Sequence, residues 1–238
     1  AEFQSWADSI KAFRTQQGIS TDIKTIDDIG GNNVNTLKNY FSTAYNTWDI
    51  VPAAVLLLGD YGTNADNSII APIWQSYCAS DNIYSDINND DMPDMIFARM
   101  TAQNEDHLEV MVTKFLDYER NPPVSEDFYN HPITALGWQT ERWFQICSES
   151  VGGFWKHELG KDPVRINEVY GGNPENDPWS TATNTNTVLN VFGPNGLGYI
   201  PTSPSELGDW AGGNAQDINF AINNGSFMLQ HRDHGYEQ

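Results

Sequence analysis

Two histidines lie close together near the end of the sequence, after a short apolar run. The run Phe227-Met-Leu follows Asn-Gly and leads through His231 to His234 and Gly235. This pattern predicts a buried strand that follows a helix, with both histidines at or just beyond the carboxyl end of the strand. Ligands bind at that edge in open α/β sheets.

A histidine at such an edge can exchange protons near neutral pH. His234 could take a proton from a nucleophile and return it to a leaving group, and the N–H of Gly235 is unobstructed, as an oxyanion-binding group requires. Two other interpretations stay open. The string His-Arg-Asp-His-Gly could be a polar loop, or His231, Asp233 and His234 could bind a metal ion for hydrolysis.

The composition limits the partners that this chain of 238 residues could bind. It contains 32 acidic and 12 basic residues, for a net charge of −20. Nucleic acid and anionic membranes are therefore unexpected partners, because binding to them requires a basic surface. No apolar run is long enough to span a bilayer, and the acidic excess is typical of secreted or calcium-binding proteins.

Apolar periodicity predicts an alternation of helices and strands before the histidines. Helices are predicted at residues 2–17, 34–45, 108–116, 143–159 with a break at Gly152-Gly153, 185–192, and after Asn214. Strands are predicted at residues 21–26, 53–58, 95–98, 133–136 and 165–170. Residues 61–93 are polar and show no period, which predicts a long functional loop. The alternation predicts an α/β fold with an open, mostly parallel sheet flanked by helices.

A second candidate site is the acidic loop, residues 86–94, with the sequence Asp-Ile-Asn-Asn-Asp-Asp-Met-Pro-Asp. Oxygen-bearing side chains at alternate positions suit calcium, which accepts six to eight oxygen ligands in irregular geometry. The loop lacks the turn glycine and the distal glutamate of an EF-hand. Asp60, at the end of the predicted 53–58 strand, could complete the ligand shell. The alternative is a solvated acidic turn.

The order of these features resembles the catalytic domain of the gingipain family of cysteine endopeptidases. The motifs that fall where the family has counterparts are Leu58-Gly59-Asp60, the acidic loop, Ala98-Arg99-Met100, Asp117-Tyr-Glu-Arg120 and His234-Gly235. The family shares its sheet architecture with caspases and legumains. It uses a Cys–His pair, with the histidine after one hydrophobic strand and the cysteine after the next. The resemblance implies a secreted enzyme that hydrolyses protein or peptide substrates.

The resemblance also implies roles for individual residues. His234 would be the general base and acid, and the N–H of Gly235 would help to bind the oxyanion. Glu141 would orient the histidine, with Gln139 as the alternative at that position. The ligands of a structural calcium ion would be Asp60, Asn88, Asp90, the carbonyl of Met92, and Asp94.

The nucleophile of the family has no counterpart at the matching position. The sequence continues for only four residues beyond His234. Cys147 is expected to be buried on a helix, and Cys78 precedes the histidine in chain order. We therefore expect an incomplete gingipain-like catalytic domain that is inactive alone, with possible subdomains at about 1–130 and 131–238, completed by the C-terminal remainder of the same domain. The competing interpretation is a non-catalytic, calcium-stabilised binding or assembly module on the same fold.

Overall fold

The computed structural model describes residues 2–61, 67–137, 141, 143–169, 172–176, 178–210 and 212–233. The chain divides into two compact units, residues 1–122 and residues 123–238. No helix in the described ranges is both long and apolar enough to cross a membrane.

The first unit consists of short helices and two small sheets. Its helices are α1 (Gln4–Gln16), α2 (Ile26–Ile29), α3 (Val34–Thr47), α4 (Asn82–Ser85) and α5 (Glu105–Arg120). Its strands are β1 (Ala54–Leu58), β2 (Ile73–Trp74), β3 (Cys78–Ala79) and β4 (Ile96–Met100). Strands β1 and β4 pair in parallel, and β2 and β3 form an antiparallel hairpin.

Two apolar clusters hold the β1–β4 sheet between helices. On one side, Ile10 and Phe13 of α1 pack with Leu108, Val112 and Leu116 of α5. On the other side, Leu37 and Phe41 of α3 pack with Leu57 of β1 and with Tyr84 of α4. These helical residues recur at intervals of three or four, so each helix turns one apolar stripe toward the strands.

Arg99 on β4 anchors both ends of the segment that contains the hairpin. Its guanidinium group donates to the carbonyls of Gly59 (3.0 Å) and Ile69 (2.9 Å). It also forms a two-point ion pair with the carboxylate of Asp81, at 2.8 and 2.7 Å. Because Ile69 precedes the hairpin and Asp81 follows it, one side chain fixes both ends to the end of β1.

The second unit is built around a three-stranded sheet. Its helices are α6 (Glu126–Asn130), α7 (Trp143–Leu159), α8 (Thr185–Phe192) and α9 (Ala215–Asn223), with one 3₁₀ turn at Pro204–Glu206. Its strands are β5 (Ile133–Leu136), β6 (Val164–Asn167) and β7 (Leu229–Arg232). The strand order is β6-β5-β7, and β5 pairs in parallel with both neighbours.

The two faces of this sheet differ in polarity. One face is apolar: Ile133, Ala135 and Ile166 pack against Ile218 and Ala221 of α9. The other face carries polar residues toward α7, where Ser148 donates to Gln230 of β7 at 3.1 Å and Glu149 pairs with Arg165 of β6. Alternation along each strand places these two sets on opposite sides.

An ion pair between Glu149 and Arg165 lies inside this polar layer. Arg165 Nε lies 2.9 and 3.0 Å from the two carboxylate oxygens of Glu149, and the guanidinium group stacks 4.6 Å from the Trp210 ring centre. Glu149 is 5% exposed. Its burial raises the pKa of the carboxyl group, and the charge of Arg165 opposes that rise. The carboxylate therefore depends on its partner to remain ionised inside the unit.

Several predicted elements are confirmed within one or two residues. Helix α8 and strand β5 have the predicted bounds, 185–192 and 133–136. Helix α9 begins after Asn214, whose side chain accepts from the N–H groups of Gln216 and Asp217. The predicted α/β fold with parallel sheets and flanking helices is confirmed.

The predicted strand at 21–26 is wrong. Residues 19–25 have no strand partner, and Thr25 instead caps α2 through a reciprocal pair of hydrogen bonds with Asp28. The predicted loop at 61–93 also contains elements that its polarity concealed, namely the hairpin and α4. In both places local capping and turn contacts decide the structure, and these are invisible to apolar periodicity.

The predicted break at Gly152-Gly153 is wrong as well, because α7 runs unbroken through both glycines. A Cβ on Gly153 would overlap the backbone of Tyr199, so this glycine permits a close approach inside the helix. The last strand also differs from the prediction, since it begins at Leu229 and is an edge strand rather than a buried one. Leu229 is 41% exposed.

Removal of Arg165 should destabilise the second unit strongly. Arg165→Met leaves the Glu149 carboxylate buried without its cationic partner, which should cost about 3–5 kcal/mol in the free energy of unfolding. Urea unfolding followed by tryptophan fluorescence measures this loss. The loss should shrink as the pH is lowered, because protonation removes the unpaired charge.

A matched control is Arg14→Met, which removes the partner of Glu119 from a more exposed ion pair, 24% and 26% exposed. This substitution should lower the free energy of unfolding by less than about 1 kcal/mol. Equal losses for the two variants would contradict the importance given to the buried pair. The double variant Glu149→Leu/Arg165→Met should recover most of the lost stability.

Candidate active site

The three parallel strands of the second unit end at one edge of the sheet. Leu136 of β5 is level with Asn167 of β6 and with Arg232 of β7. The N–H of Gly137 donates to the carbonyl of Arg232 (2.9 Å), and the N–H of Glu168 donates to the carbonyl of Leu136 (3.1 Å). The first residues after β5 and β6, Gly137 and Glu168, are therefore bonded to the ends of the neighbouring strands at one edge, where ligands bind in open α/β sheets.

The residues predicted to do the chemistry begin just past this edge. His234 and Gly235 lie outside the described residues, as does Gln139. Asp233, the residue directly before His234, is described, and β7 ends one residue earlier at Arg232. His231 lies on the strand itself, is exposed, and is level with Ala135 on the α9 face of the sheet.

Glu141 lies in the segment between β5 and α7. Its side chain is exposed, and its backbone carbonyl accepts from the N–H of Thr181 (3.0 Å) and the hydroxyl of Ser180 (2.6 Å). These bonds fix the chain path shortly after the carboxyl end of β5. The orienting role of Glu141 stays a prediction.

Gly137 and Asp233 form a contact at this edge that the sequence did not single out. A Cβ on Gly137 would overlap the carboxyl group of Asp233, so this carboxyl group occupies the space that a side chain at 137 would fill. In the sequence, this contact is indicated by no more than a glycine directly after a short apolar strand. The contact joins the ends of β5 and β7.

Both cysteines are free thiols in different surroundings. Cys147 is half-buried on α7, where burial raises the pKa of its thiol and the charge of Arg232 partly opposes the rise. The guanidinium group of Arg232 itself lies 5.1 Å from the ring centre of Phe144, in the first turn of α7. Cys78 lies on the exposed hairpin of the first unit. Cys147 lies on a helix as expected, but it is half-buried rather than buried.

The acidic loop in the first unit folds upon its own backbone. Asp94 accepts from the N–H of Ile87 at 2.8 Å, and Asp90 accepts from the N–H of Met92 at 2.9 Å. Asp86 accepts from the N–H groups of Asp90 and Asp91, both at 3.1 Å. The loop carboxylates therefore turn toward the loop.

Asp60, the remaining predicted calcium ligand, lies just after β1. It accepts from its neighbour, the N–H of Tyr61 (2.7 Å), and from the side-chain amide of Gln103 (2.8 Å). Within the described ranges, no three side chains of the types His, Cys, Asp or Glu come together as a ready metal-binding group. The calcium site stays a prediction.

Comparison with known proteins identifies the family. The model of peptidase family C25, the gingipain family, matches residues 1–238, and the chain belongs to that family. The resemblance inferred from the sequence motifs is thereby confirmed. No curated protein sequence matches the chain closely enough to add a relative.

Solved structures agree on the fold. The Arg-specific cysteine proteinase gingipain R is similar with a TM-score of 0.58 and 17% identity, over 99% of this chain and 44% of that one. A structure described only as a protease has a TM-score of 0.52 and 18% identity, over 70% of this chain and 38% of that one. The complex of the pro- and mature domains of RgpB from Porphyromonas gingivalis has a TM-score of 0.50 and 18% identity, over 73% of this chain and 40% of that one. The chain spans less than half the length of each.

The two thiols should differ in reactivity toward iodoacetamide. Cys78 is exposed, whereas burial and a raised pKa leave less accessible thiolate at Cys147, so Cys78 should be alkylated faster by a factor on the order of ten or more. Peptide mass spectrometry of time points measures both rates. In the folded Cys78→Ser variant, the remaining thiol of Cys147 should resist alkylation until urea unfolds the protein. Equal native rates would contradict the packing of Cys147.

Proposed function

We propose that this chain forms the histidine-bearing part of a secreted cysteine endopeptidase of the gingipain type. The observation that carries the proposal is membership of peptidase family C25 across residues 1–238. The parallel sheet supports it, because the carboxyl edge of β7 leads within two residues to His234. The acidic net charge of −20 is compatible with work outside the cell on protein or peptide substrates.

The proposed nucleophile is a cysteine other than the two in this chain. Cys147 is half-buried on α7, where burial raises the pKa of its thiol, so it offers little thiolate for attack. Cys78 belongs to the exposed hairpin of the first unit rather than to the sheet that leads to His234. The proposed partner that supplies the thiol is the C-terminal remainder of the same catalytic domain.

The proposed reaction is acyl transfer through a thioester. His234 takes the proton of the thiol, and the sulfur attacks the carbonyl carbon of the scissile peptide bond. The carbonyl oxygen becomes an oxyanion, which the N–H of Gly235 binds. His234 then protonates the leaving amine as the C–N bond breaks, and water hydrolyses the thioester. Glu141, or Gln139 in its place, orients the imidazole.

Replacement of the histidine tests this proposal. In the intact protein, His234→Ala should lower kcat for peptide hydrolysis by a factor on the order of a hundred to ten thousand, because proton transfer is lost. Steady-state kinetics on a peptide library, with circular dichroism to confirm folding, measure the effect. Retained hydrolysis would overturn the assignment of His234. No hydrolysis by the unmodified intact protein would instead support the non-catalytic module.

Two further variants separate the alternatives. His107→Ala removes an exposed histidine on α5 of the first unit and should leave the rate unchanged. His231→Ala tests the metal alternative, which requires His231 as a ligand. Loss of activity in His231→Ala together with loss on treatment with a zinc chelator, but not with iodoacetamide, would contradict the cysteine mechanism.

We also propose a structural calcium ion at the acidic loop. The donor types support it, since carboxylate, amide and carbonyl oxygens are the ligands calcium prefers. The proposed ligands are Asp60, Asn88, Asp90, the carbonyl of Met92, and Asp94. The carboxylates accept hydrogen bonds from backbone N–H groups and from Gln103. These side chains would therefore have to turn away from those partners to coordinate the ion.

Calcium should therefore stabilise the first unit. Addition of millimolar calcium to protein treated with a chelator should raise its thermal midpoint by several degrees, about the effect of 1–2 kcal/mol. Asp90→Asn should abolish the shift. The matched control is Asp91→Asn in the same loop, where φ of 66° suits asparagine. An identical midpoint with and without calcium would contradict the proposal.

A further inference from the structure

The contact between Gly137 and Asp233 lies where the central strand of the sheet ends. At the end of β5, the N–H of Gly137 donates to the carbonyl of Arg232 at the end of β7, at 2.9 Å. Asp233 is the next residue, and its carboxyl group folds back over Gly137. The carboxyl group thus covers the end of β5 immediately before the chain reaches His234.

Glycine is required at position 137 because there is no room for a side chain, and not because its backbone conformation excludes other residues. Its φ is not positive, unlike that of nine other described glycines, so its backbone does not require the left-handed region. A Cβ at this position would overlap all three heavy atoms of the Asp233 carboxyl group. The obstacle is the end of a rotatable side chain, so a larger residue at 137 would push the carboxyl group away rather than unfold the sheet.

The residues beside this contact hold the two strand ends in place. Arg232 is fixed by the ring of Phe144 on α7, with 5.1 Å between the guanidinium carbon and the ring centre. On the other side of β5, the N–H of Glu168 bonds to the carbonyl of Leu136 at 3.1 Å. The backbone up to residue 232 is therefore set by the sheet. Asp233 is the first residue beyond the sheet, and the position of its carboxyl group over Gly137 fixes this residue as well.

We propose that Asp233 is a positioning residue for His234, held by the side-chain-free surface of Gly137. This inference rests on the proposed function of His234 as the general base. The seated carboxyl group fixes Asp233, the residue to which His234 is joined in the chain. Glu141, by contrast, is proposed to contact the imidazole itself.

A double-mutant cycle tests the proposal in the intact protein. Asp233→Ala removes the carboxyl group, and Gly137→Ala displaces it. Each should lower kcat by about tenfold to a hundredfold, the effect of a small misplacement of a catalytic group, with KM changed less than about threefold. The kcat of the double variant should be no lower than that of the less active single variant, because both substitutions remove the same contact. Multiplicative losses, or equal effects on kcat and KM, would overturn the proposal.

Two variants separate position from charge and from general damage. Asp233→Asn has the same shape and should keep kcat within about threefold of the unmodified protein, whereas the same loss as in Asp233→Ala would overturn a role based on position. Gly152→Ala is the matched glycine control, since its Cβ would meet only Thr134 Cγ2 at an ordinary 3.6 Å. It should leave kcat unchanged.

A measurement without catalysis tests the contact independently of the proposed function. Gly137→Ala should lower the thermal midpoint in the presence of Asp233 and lower it clearly less in the Asp233→Ala background. Equal shifts in the two backgrounds would overturn the inference. If the coupling is present but His234→Ala retains full activity, the proposed function fails while the contact stands, and the positioning role fails with it.

Discussion

The parallel register of β5 with its two neighbours is the constraint on which the second unit depends. Leu136, Asn167 and Arg232 are level only in this register. A slip of β7 by one residue would exchange its faces, which would turn Arg232 and Gln230 toward the apolar residues that pack on α9. The hydrogen bond from Ser148 to Gln230 and the stacking of Arg232 on Phe144 oppose that slip.

The polar layer under α7 fixes the helix as well as the strands. Arg165 reaches from β6 to Glu149 on α7 and donates to the carbonyl of Gly208, 3.1 Å away. A buried ion pair adds little net stability compared with a well-packed apolar pair, but it is directional and tolerates few alternative arrangements. The position of α7 on the sheet is therefore set by geometry that simple apolar packing would not define.

The first unit uses a charged side chain in a similar way. Arg99 ties the end of β1 to both ends of the hairpin segment. The acidic loop is attached to the same region, since the N–H of Asp94 bonds to the carbonyl of Ser85 at the end of α4 (2.8 Å). The motif Ala98-Arg99-Met100, one of the motifs that carry the family resemblance, thus has a structural role as well. The arginine attaches a long connection to the end of β1 at two points.

The sequence by itself determined the elements whose apolar spacing is regular, such as α8, β5 and α9, because burial of one stripe or one strand dictates their period. It also determined the family, through motifs whose order survives low identity. Only the tertiary structure decided that α7 continues through Gly152 and Gly153, and it gives Gly153 a reason, because the backbone of Tyr199 fills the space of a side chain there. Only the tertiary structure placed Asp233 over Gly137, because that contact joins residues 96 positions apart through the pairing of two strands. Local sequence patterns report what each segment prefers, whereas contacts of this kind exist only after the sheet has brought its strand ends together.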